Sequence, residues 1–136
     1  MITIEQYFHG KEHSPDNYAD AVDLLQLVND LIDFAVSQGA FTRCVDVDTG
    51  SEVSGSRGGS GDGGFRLADS STGSPNSSHK QAKAVDVYDP GNRLDDWLTD
   101  ETLADFGLYR EAPDSTPGWC HLSTRAPGSG RRTFNP

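Results

Sequence analysis

The chain reads as an α+β domain, and three patterns carry that reading: one long stretch with apolar residues at helical spacing, a shorter one near residue 100, and short segments that alternate apolar and polar residues. Ser14-Pro15 opens the first helix, with serine suited to the cap and proline to the first turn. From there Ala21, Val22, Leu24, Leu25, Val28, Leu31, Ile32 and Ala35 recur on one face, and Gly39 marks the stop. A second helix is predicted over Arg93 to Phe106, burying Leu94, Trp97, Leu98 and Leu103 before Gly107 ends it. Strands are expected near Glu52 to Ser56, Lys83 to Tyr88, Leu108 to Glu111 and Trp119 to Ser123, enough for one small sheet.

The pleat assigns faces within two of these strands. Ala84, Asp86 and Tyr88 point one way, and Val85 and Val87 the other. Likewise Trp119, His121 and Ser123 share one face, which sends Cys120 and Leu122 into the core. A carboxylate and an imidazole thus each stand on a polar face, and His79 lies seven residues before Asp86. Two imidazoles and one carboxylate, with a fourth position open, suit a catalytic zinc. A structural zinc site uses four protein ligands, usually with several thiolates, whereas Cys44 and Cys120 are far apart and form no CxxC pair. His79, Asp86 and His121 are therefore the candidate metal ligands of a metallohydrolase.

The run Ser77-x-His79-x-x-Ala82-x-Ala84-x-Asp86 resembles the S-x-H-x-x-G-x-A-x-D signature of the zinc D-alanyl-D-alanine carboxypeptidases and their endopeptidase relatives, which share a fold with the hedgehog signalling domain. Val53-Ser54-Gly55-Ser56-Arg57 is similar to that family's strand ending in S-G-[YW]-R, and Gly64-Phe65-Arg66 offers a second arginine with the aromatic that Ser56 lacks. Thr116-Pro117-Gly118-Trp119-Cys120-His121-Leu122 and Pro127 to Phe134 resemble the tails of short bacteriophage-encoded members. The resemblance covers about Glu52 to Pro136, with a looser likeness at Ile2 to Tyr7. It implies a small antiparallel sheet with flanking helices, a bound Zn2+, and hydrolysis of the stem peptides of peptidoglycan by a phage lysis enzyme or a virion-borne wall hydrolase. It also implies that Arg57, or failing it Arg66, orients the substrate's carboxylate or stabilises the oxyanion, and that Ser77 hydrogen-bonds the peptide.

The chain departs from the family pattern at Ala82, where glycine is usual, at Ser56, where an aromatic is usual, and at the general base. Many members carry a glutamate three residues before the last histidine, here Gly118; others carry an acid two residues after it, here Ser123. A carboxylate is still needed to take a proton from water and deliver it to the leaving amine. Glu111 and Asp114 are the nearest candidates. If Leu108 to Glu111 pairs with Trp119 to Ser123 across the loop Ala112 to Gly118, Glu111 comes close to His121, and a strand end is held more firmly than the middle of a loop. The competing class is a virion structural or binding protein that retains the zinc fold without activity, favoured by Gly118, Ser123 and the acidic surface.

With 136 residues, 34% of them hydrophobic, the expectation is one domain with a single modest core. Part of the 15 glycines falls in Gly50 to Gly73, so a Gly/Ser-rich loop over about 50–78 is expected to form a rim or lid on the cleft. The formal charge of -10 argues against nucleic acid, whose phosphates need clustered Lys and Arg. Arg125, Arg131 and Arg132 form the one basic cluster, a solvated tail or a contact for other virion proteins. No apolar run approaches the roughly 20 residues that cross a bilayer, and Met1-Ile2-Thr3 starts no signal sequence, so host cytoplasm or virion is the expected location, with no membrane partner.

Four other motifs carry little. His9 and His13 have ligand spacing on a helix, but Gly10 weakens that helix and no H-E-x-x-H follows. Gly59-x-Gly61-x-x-Gly64 lacks the βαβ context of a dinucleotide site. Asp46-x-Asp48-x-Gly50 misplaces the glycine of a calcium loop and lacks its later glutamate. Asn76-Ser77-Ser78 is a glycosylation sequon only in a secreted chain.

Overall fold

A computed structural model describes residues 1–55 and 62–136. The first element, α1 (Ile4–Phe8), is closed at its start by a reciprocal capping box in which Thr3 Oγ1 accepts from Gln6 N and Gln6 Oε1 accepts from Thr3 N. It stops where His9 turns left-handed. The long helix α2 (Pro15–Ser37) has the expected Ser14 cap, which accepts from Asn17 N at 3.0 Å, and Gly39 follows its end at φ +70°. Its buried face holds Ala21, Leu24, Leu25, Val28, Leu31, Ile32 and Ala35. Val22, counted in that stripe by spacing, lies 41% exposed at its margin.

The expected second helix is two. α3 (Arg93–Trp97) and α4 (Asp100–Asp105) are separated because Leu98 is extended and Thr99 caps α4, its Oγ1 accepting from Thr102 N at 3.1 Å. The cap hydroxyl satisfies an amide that a continuous helix would have bonded to a carbonyl one turn back. Leu94, Leu98 and Leu103 are buried as expected, and Trp97 is partly so.

Among the described residues the strands β1 (Ala84–Tyr88), β2 (Tyr109–Glu111), β3 (Trp119–Ser123) and β4 (Thr133–Phe134) form a sheet in the order β1-β3-β2-β4. β1 with β3 and β2 with β3 are antiparallel, but β4 runs parallel to β2, so the sheet is mixed rather than wholly antiparallel. The chain leaves β3 and crosses by residues 124–132 to the far edge before pairing. Two residues are too few for a period-two signal. The strand expected at Glu52 to Ser56 reduces, within the described residues, to a single bridge of Val53 to Val87, flanked by Ser54 N donating to Asp86 O and Tyr88 N to Glu52 O.

The apolar faces of α1, α2 and the sheet meet in one core containing Tyr7, Leu24, Val28, Val85, Val87, Leu103, Cys120 and Leu122. Val85, Val87, Cys120 and Leu122 enter it as the pleat requires. No helix among the described residues is long and apolar enough to cross a membrane. The stretch read as a loop from about residue 50 has a built portion. Gly63, Gly64, Phe65 and Arg66 are buried, with Gly63 O accepting from Asp86 N at 2.7 Å and Phe65 N donating to Tyr7 O at 3.0 Å. Glycine is required there by space: a Cβ on Gly63 would overlap the Ser54 carbonyl, and one on Gly64 the Tyr7 carbonyl.

Gly64→Ala is therefore expected to cost more than ~2 kcal/mol in urea unfolding, since backbone rather than a flexible side chain must move. Gly107→Ala, with φ +70° and nothing within 4 Å of its added methyl, should cost only the left-handed penalty of ~1 kcal/mol. Equal losses at the two positions would show that close approach is not what selects glycine at 64.

Candidate metal centre

Asp86 on β1 and His121 on β3 are direct partners in the antiparallel ladder, so both side chains leave the sheet on one face at one level. His79 reaches the same point from a 3-10 helix, Ser78–Gln81, whose first turn is held by Ser77 Oγ accepting from His79 N at 3.3 Å. That helix ends at Ala82 with φ +56°, which turns the chain directly into β1. The left-handed backbone is the physical reason a glycine suits this position; here alanine adopts it with its methyl buried.

His79 Nδ1 lies 2.9 Å from Gly64 O. A carbonyl can only accept, so Nδ1 carries the proton and the Nε2 lone pair faces the cluster. His79 Nε2, Asp86 Oδ1 and His121 Nδ1 then form a closed triangle with edges of 3.3, 2.9 and 3.3 Å. Ion-pairing both rings to Oδ1 as hydrogen-bond donors would make His79 a buried imidazolium, because its Nδ1 already donates. A first-row divalent ion with bonds of ~2.0–2.2 Å in a tetrahedral set keeps its ligand atoms ~3.3–3.5 Å apart. The two edges at His79 match that spacing and the 2.9 Å edge between Asp86 and His121 is shorter, the length of a hydrogen bond; the Gly64 carbonyl supplies the outer hydrogen bond that metal-ligating histidines ordinarily have. The three buried residues form a group that can hold a metal ion, and no fourth His, Cys, Asp or Glu among the described residues joins it. Cys120 faces the core, and burial, with Asp95 nearby, pushes its thiol well above the ordinary range.

The electrostatics follow from burial against pairing. Burial alone would raise the Asp86 carboxyl; with no metal bound, a charge on His79 and hydrogen bonds from His121 and His79 hold it far below the usual carboxylate range, a role that a bound cation would take over. Burial works to lower His121, yet the hydrogen bond and charge of Asp86 win and raise it. The Tyr7 hydroxyl is pushed up by burial and by the charge of Asp86; it stays protonated and donates to Ala84 O at 2.9 Å, buttressing β1 from behind.

Arg110 pairs with Leu122, which brings Glu111 level with His121, and Glu111 in turn pairs with Phe134. One transverse row thus crosses all four strands: Asp86, His121, Glu111, Phe134. Glu111 Oε1 is 3.9 Å from His121 Nδ1, with its side chain 24% exposed. The Phe134 ring stands edge-on to His121 at 6.2 Å between centroids. Arg110, on the opposite face of β2, anchors that strand by donating to Asp95 O at 2.6 Å, Leu98 O at 3.2 Å and Thr133 Oγ1 at 3.0 Å. Thr116 closes the same network on Asp95 Oδ2 at 2.9 Å and fixes the loop between β2 and β3.

The group opens onto a cleft of about 470 Å³ lined by Arg66, Ser77, Glu111, Trp119 and Phe134, among others. Of the residues expected at the site, His79, Asp86, His121, Glu111, Arg66 and Ser77 come together here. Asp114 is exposed on the 3-10 turn Pro113–Ser115 and does not line the cleft. Arg57 lies outside the described residues, as do Ser56, Gly59 and Gly61. Arg66 Nε donates to Asp62 O at 2.7 Å, and its Nη2 stands 3.7 Å from Asp86 Oδ2, longer than a hydrogen bond. Sequence reasoning assigned no role to Phe134 or to the Gly64 carbonyl; only the pairing of β4 with β2 and the fold of residues 63–66 bring them in.

The other motifs resolve structurally. α1 ends before His9, so His9 and His13 share no helical face, and the His13 ring stacks on Phe8 at 3.6 Å. Asp46 spends its two carboxylate oxygens on the amides of Asp48 and Gly55, both at 2.9 Å. That use is a turn, not a calcium loop.

A bound ion must displace a proton from His121, whose pKa lies above the ordinary ~6.5. Metal affinity is expected to fall as pH drops through that raised value, beginning at higher pH than for an unperturbed histidine. Without metal the sign reverses: the His121–Asp86 pair stabilises the fold fully below the unfolded histidine pKa and loses its contribution as pH rises through the raised one. Thermal unfolding from pH 6 to 9 with and without added zinc should therefore give opposite slopes, and parallel curves would remove His121 as a ligand.

Compared with protein-family models, curated proteins and solved structures, the chain has no significant match.

Proposed function

We propose that this protein is a zinc-dependent peptidase that hydrolyses peptidoglycan stem peptides, of D-Ala-D-Ala carboxypeptidase or endopeptidase type, working in phage lysis or from a virion. The observation that carries the reading is the buried His79–Asp86–His121 triangle at the floor of a cleft with a carboxylate on one side and a guanidinium on the other. Two nitrogens and one oxygen are the donor set of a catalytic rather than a structural zinc. Zinc, when bound, supplies Lewis acidity toward a carbonyl and acidifies water toward a pKa of ~7.

The rest is the work of the chain. Glu111 Oε1 takes a proton from the attacking water and returns it to the leaving amine nitrogen, a role its place beside His121 on a pinned strand allows. Arg66 holds an anionic group of the substrate or the developing oxyanion, the role the resemblance also offers to Arg57. Ser77, whose oxygen accepts from His79 N, keeps its O–H to donate to the peptide. Trp119 and Phe134 supply apolar walls that limit water.

A second reading, a virion structural or binding protein that keeps the zinc fold without turnover, is favoured by Gly118 and Ser123, which supply no acid on β3; the Ser123 hydroxyl is engaged by Arg125 N at 2.9 Å. Purified protein should contain one zinc per chain and cleave stem peptides, and His121→Ala should lose both. Glu111→Gln should keep its zinc while kcat drops by ~10²–10⁴. Zinc bound with no hydrolysis by the unmodified chain would establish the scaffold instead, and full rate in Glu111→Gln would remove Glu111 as the base.

A further inference from the structure

The strand order orients the cleft. Residues 63–66 lie outside β1, since Gly63 O accepts from Asp86 N, so Arg66 stands beyond Asp86 at one end of the row. Glu111 and Phe134 stand beyond His121 at the other end. Among the described residues that line the cleft, Arg66 is the one cation besides the histidines. The metal group therefore sits between a guanidinium on the β1 side and a carboxylate backed by an aromatic ring on the β2–β4 side.

Hydrolysis of a peptide bond imposes a direction on such a row. The water oxygen bonds to the carbonyl carbon, the C–N bond breaks, and the proton removed from the water goes to the amine nitrogen. If Glu111 carries that proton, the leaving nitrogen must come within ~3 Å of its carboxylate. The residue owning that nitrogen then continues, at ~3.4 Å per residue, toward Phe134. A terminal carboxylate one residue past the scissile bond would meet Glu111 and Phe134, a like charge and an apolar ring. The acyl part runs the other way, toward Arg66.

We infer that the cleft binds a peptide in one direction, with Arg66 holding a carboxylate carried by the acyl part and the leaving residue packed against Phe134, so that the substrate is an internal bond following an acidic residue rather than a free carboxyl terminus. This deepens the peptidase reading and rests on it. Arg66 has the means: its Nε is anchored on Asp62 O, its ion pair with Asp86 is a long one at 3.7 Å with no hydrogen bond, and a nearly buried guanidinium suits bidentate recognition of a carboxylate. Phe134 has its place fixed by Ala112 N donating to its carbonyl at 2.7 Å.

The test uses the zinc-loaded Glu111→Gln chain, in which peptides bind without turnover, and isothermal titration calorimetry. Three synthetic stem-type peptides are compared: one with glutamate on the acyl side of the scissile bond, one with glutamine there, and one with the glutamate retained but its C-terminus amidated. The glutamine peptide should bind about tenfold or more weaker than the first. The C-terminal amide should bind within twofold of it. Adding Arg66→Gln should erase the glutamate preference; Arg66→Lys, which keeps the charge, should retain part of it and reports a folded protein. Loss of binding on C-terminal amidation would overturn the inference by placing a terminal carboxylate on Arg66. So would an Arg66→Gln variant that loses zinc affinity with the glutamate preference intact, since Arg66 would then serve Asp86 alone. Failure of the parent reading looks different: the unmodified zinc-loaded chain cleaves none of the peptides and none binds, and both proposals fall together.

Discussion

Asp86 is a carboxylate buried to 2% exposure, and much of the surrounding structure answers to that fact. An isolated buried carboxylate costs several kcal/mol or takes up a proton. This one stays ionised because two ring nitrogens stand at 2.9 and 3.3 Å from a single oxygen while its backbone is tied to Gly63 and Ser54. The turn at 77–82 and β1, neighbours in sequence, must therefore meet β3, some thirty residues further on. Their meeting point is the candidate metal centre, so fold stability and site geometry share one set of contacts.

Those contacts are supported from behind by backbone that approaches unusually closely. Gly63 and Gly64 pass where any side chain would strike a carbonyl, which lets Gly64 O reach His79 Nδ1 and fix its tautomer. Ala82 adopts a left-handed turn between His79 and β1, a strained choice for a residue with a methyl. On the other side of the sheet, Arg110 and Asp95 form a second buried polar network that locks β2 against α3 and β4. It lies on the face of β2 away from the cleft and holds the strand that carries Glu111.

The site is asymmetric because the sheet is. The same face carries the candidate ligands Asp86 and His121 on the two neighbouring strands β1 and β3, an acid on β2 and an aromatic on β4, with an arginine outside β1. Charge changes sign across about three strand spacings of ~4.8 Å, and the burial of Arg66 and partial burial of Glu111 limit its screening by salt. The two ends of the cleft therefore offer different chemistry, which is what the proposed direction of peptide binding rests on.

Much of this was legible in the residues. Helical spacing with Ser14-Pro15 and Gly39 determined α2, and period-two alternation assigned Asp86 and His121 to one face and Cys120 to the core, because those patterns depend on local geometry alone. The sequence places Glu111 near His121 only if a hairpin forms, and the β2–β3 pairing supplies one. The break between α3 and α4 was present as Thr99 followed by acids, but a cap competes with an apolar stripe and the stripe dominated. What no local pattern contains is the parallel return of β4 across residues 124–132 and the threading of 63–66 outside β1. Both join residues distant in sequence through backbone hydrogen bonds that any side chain can make. Phe134, the Gly64 carbonyl and the side of the cleft that Arg66 occupies were therefore decided only by the tertiary structure.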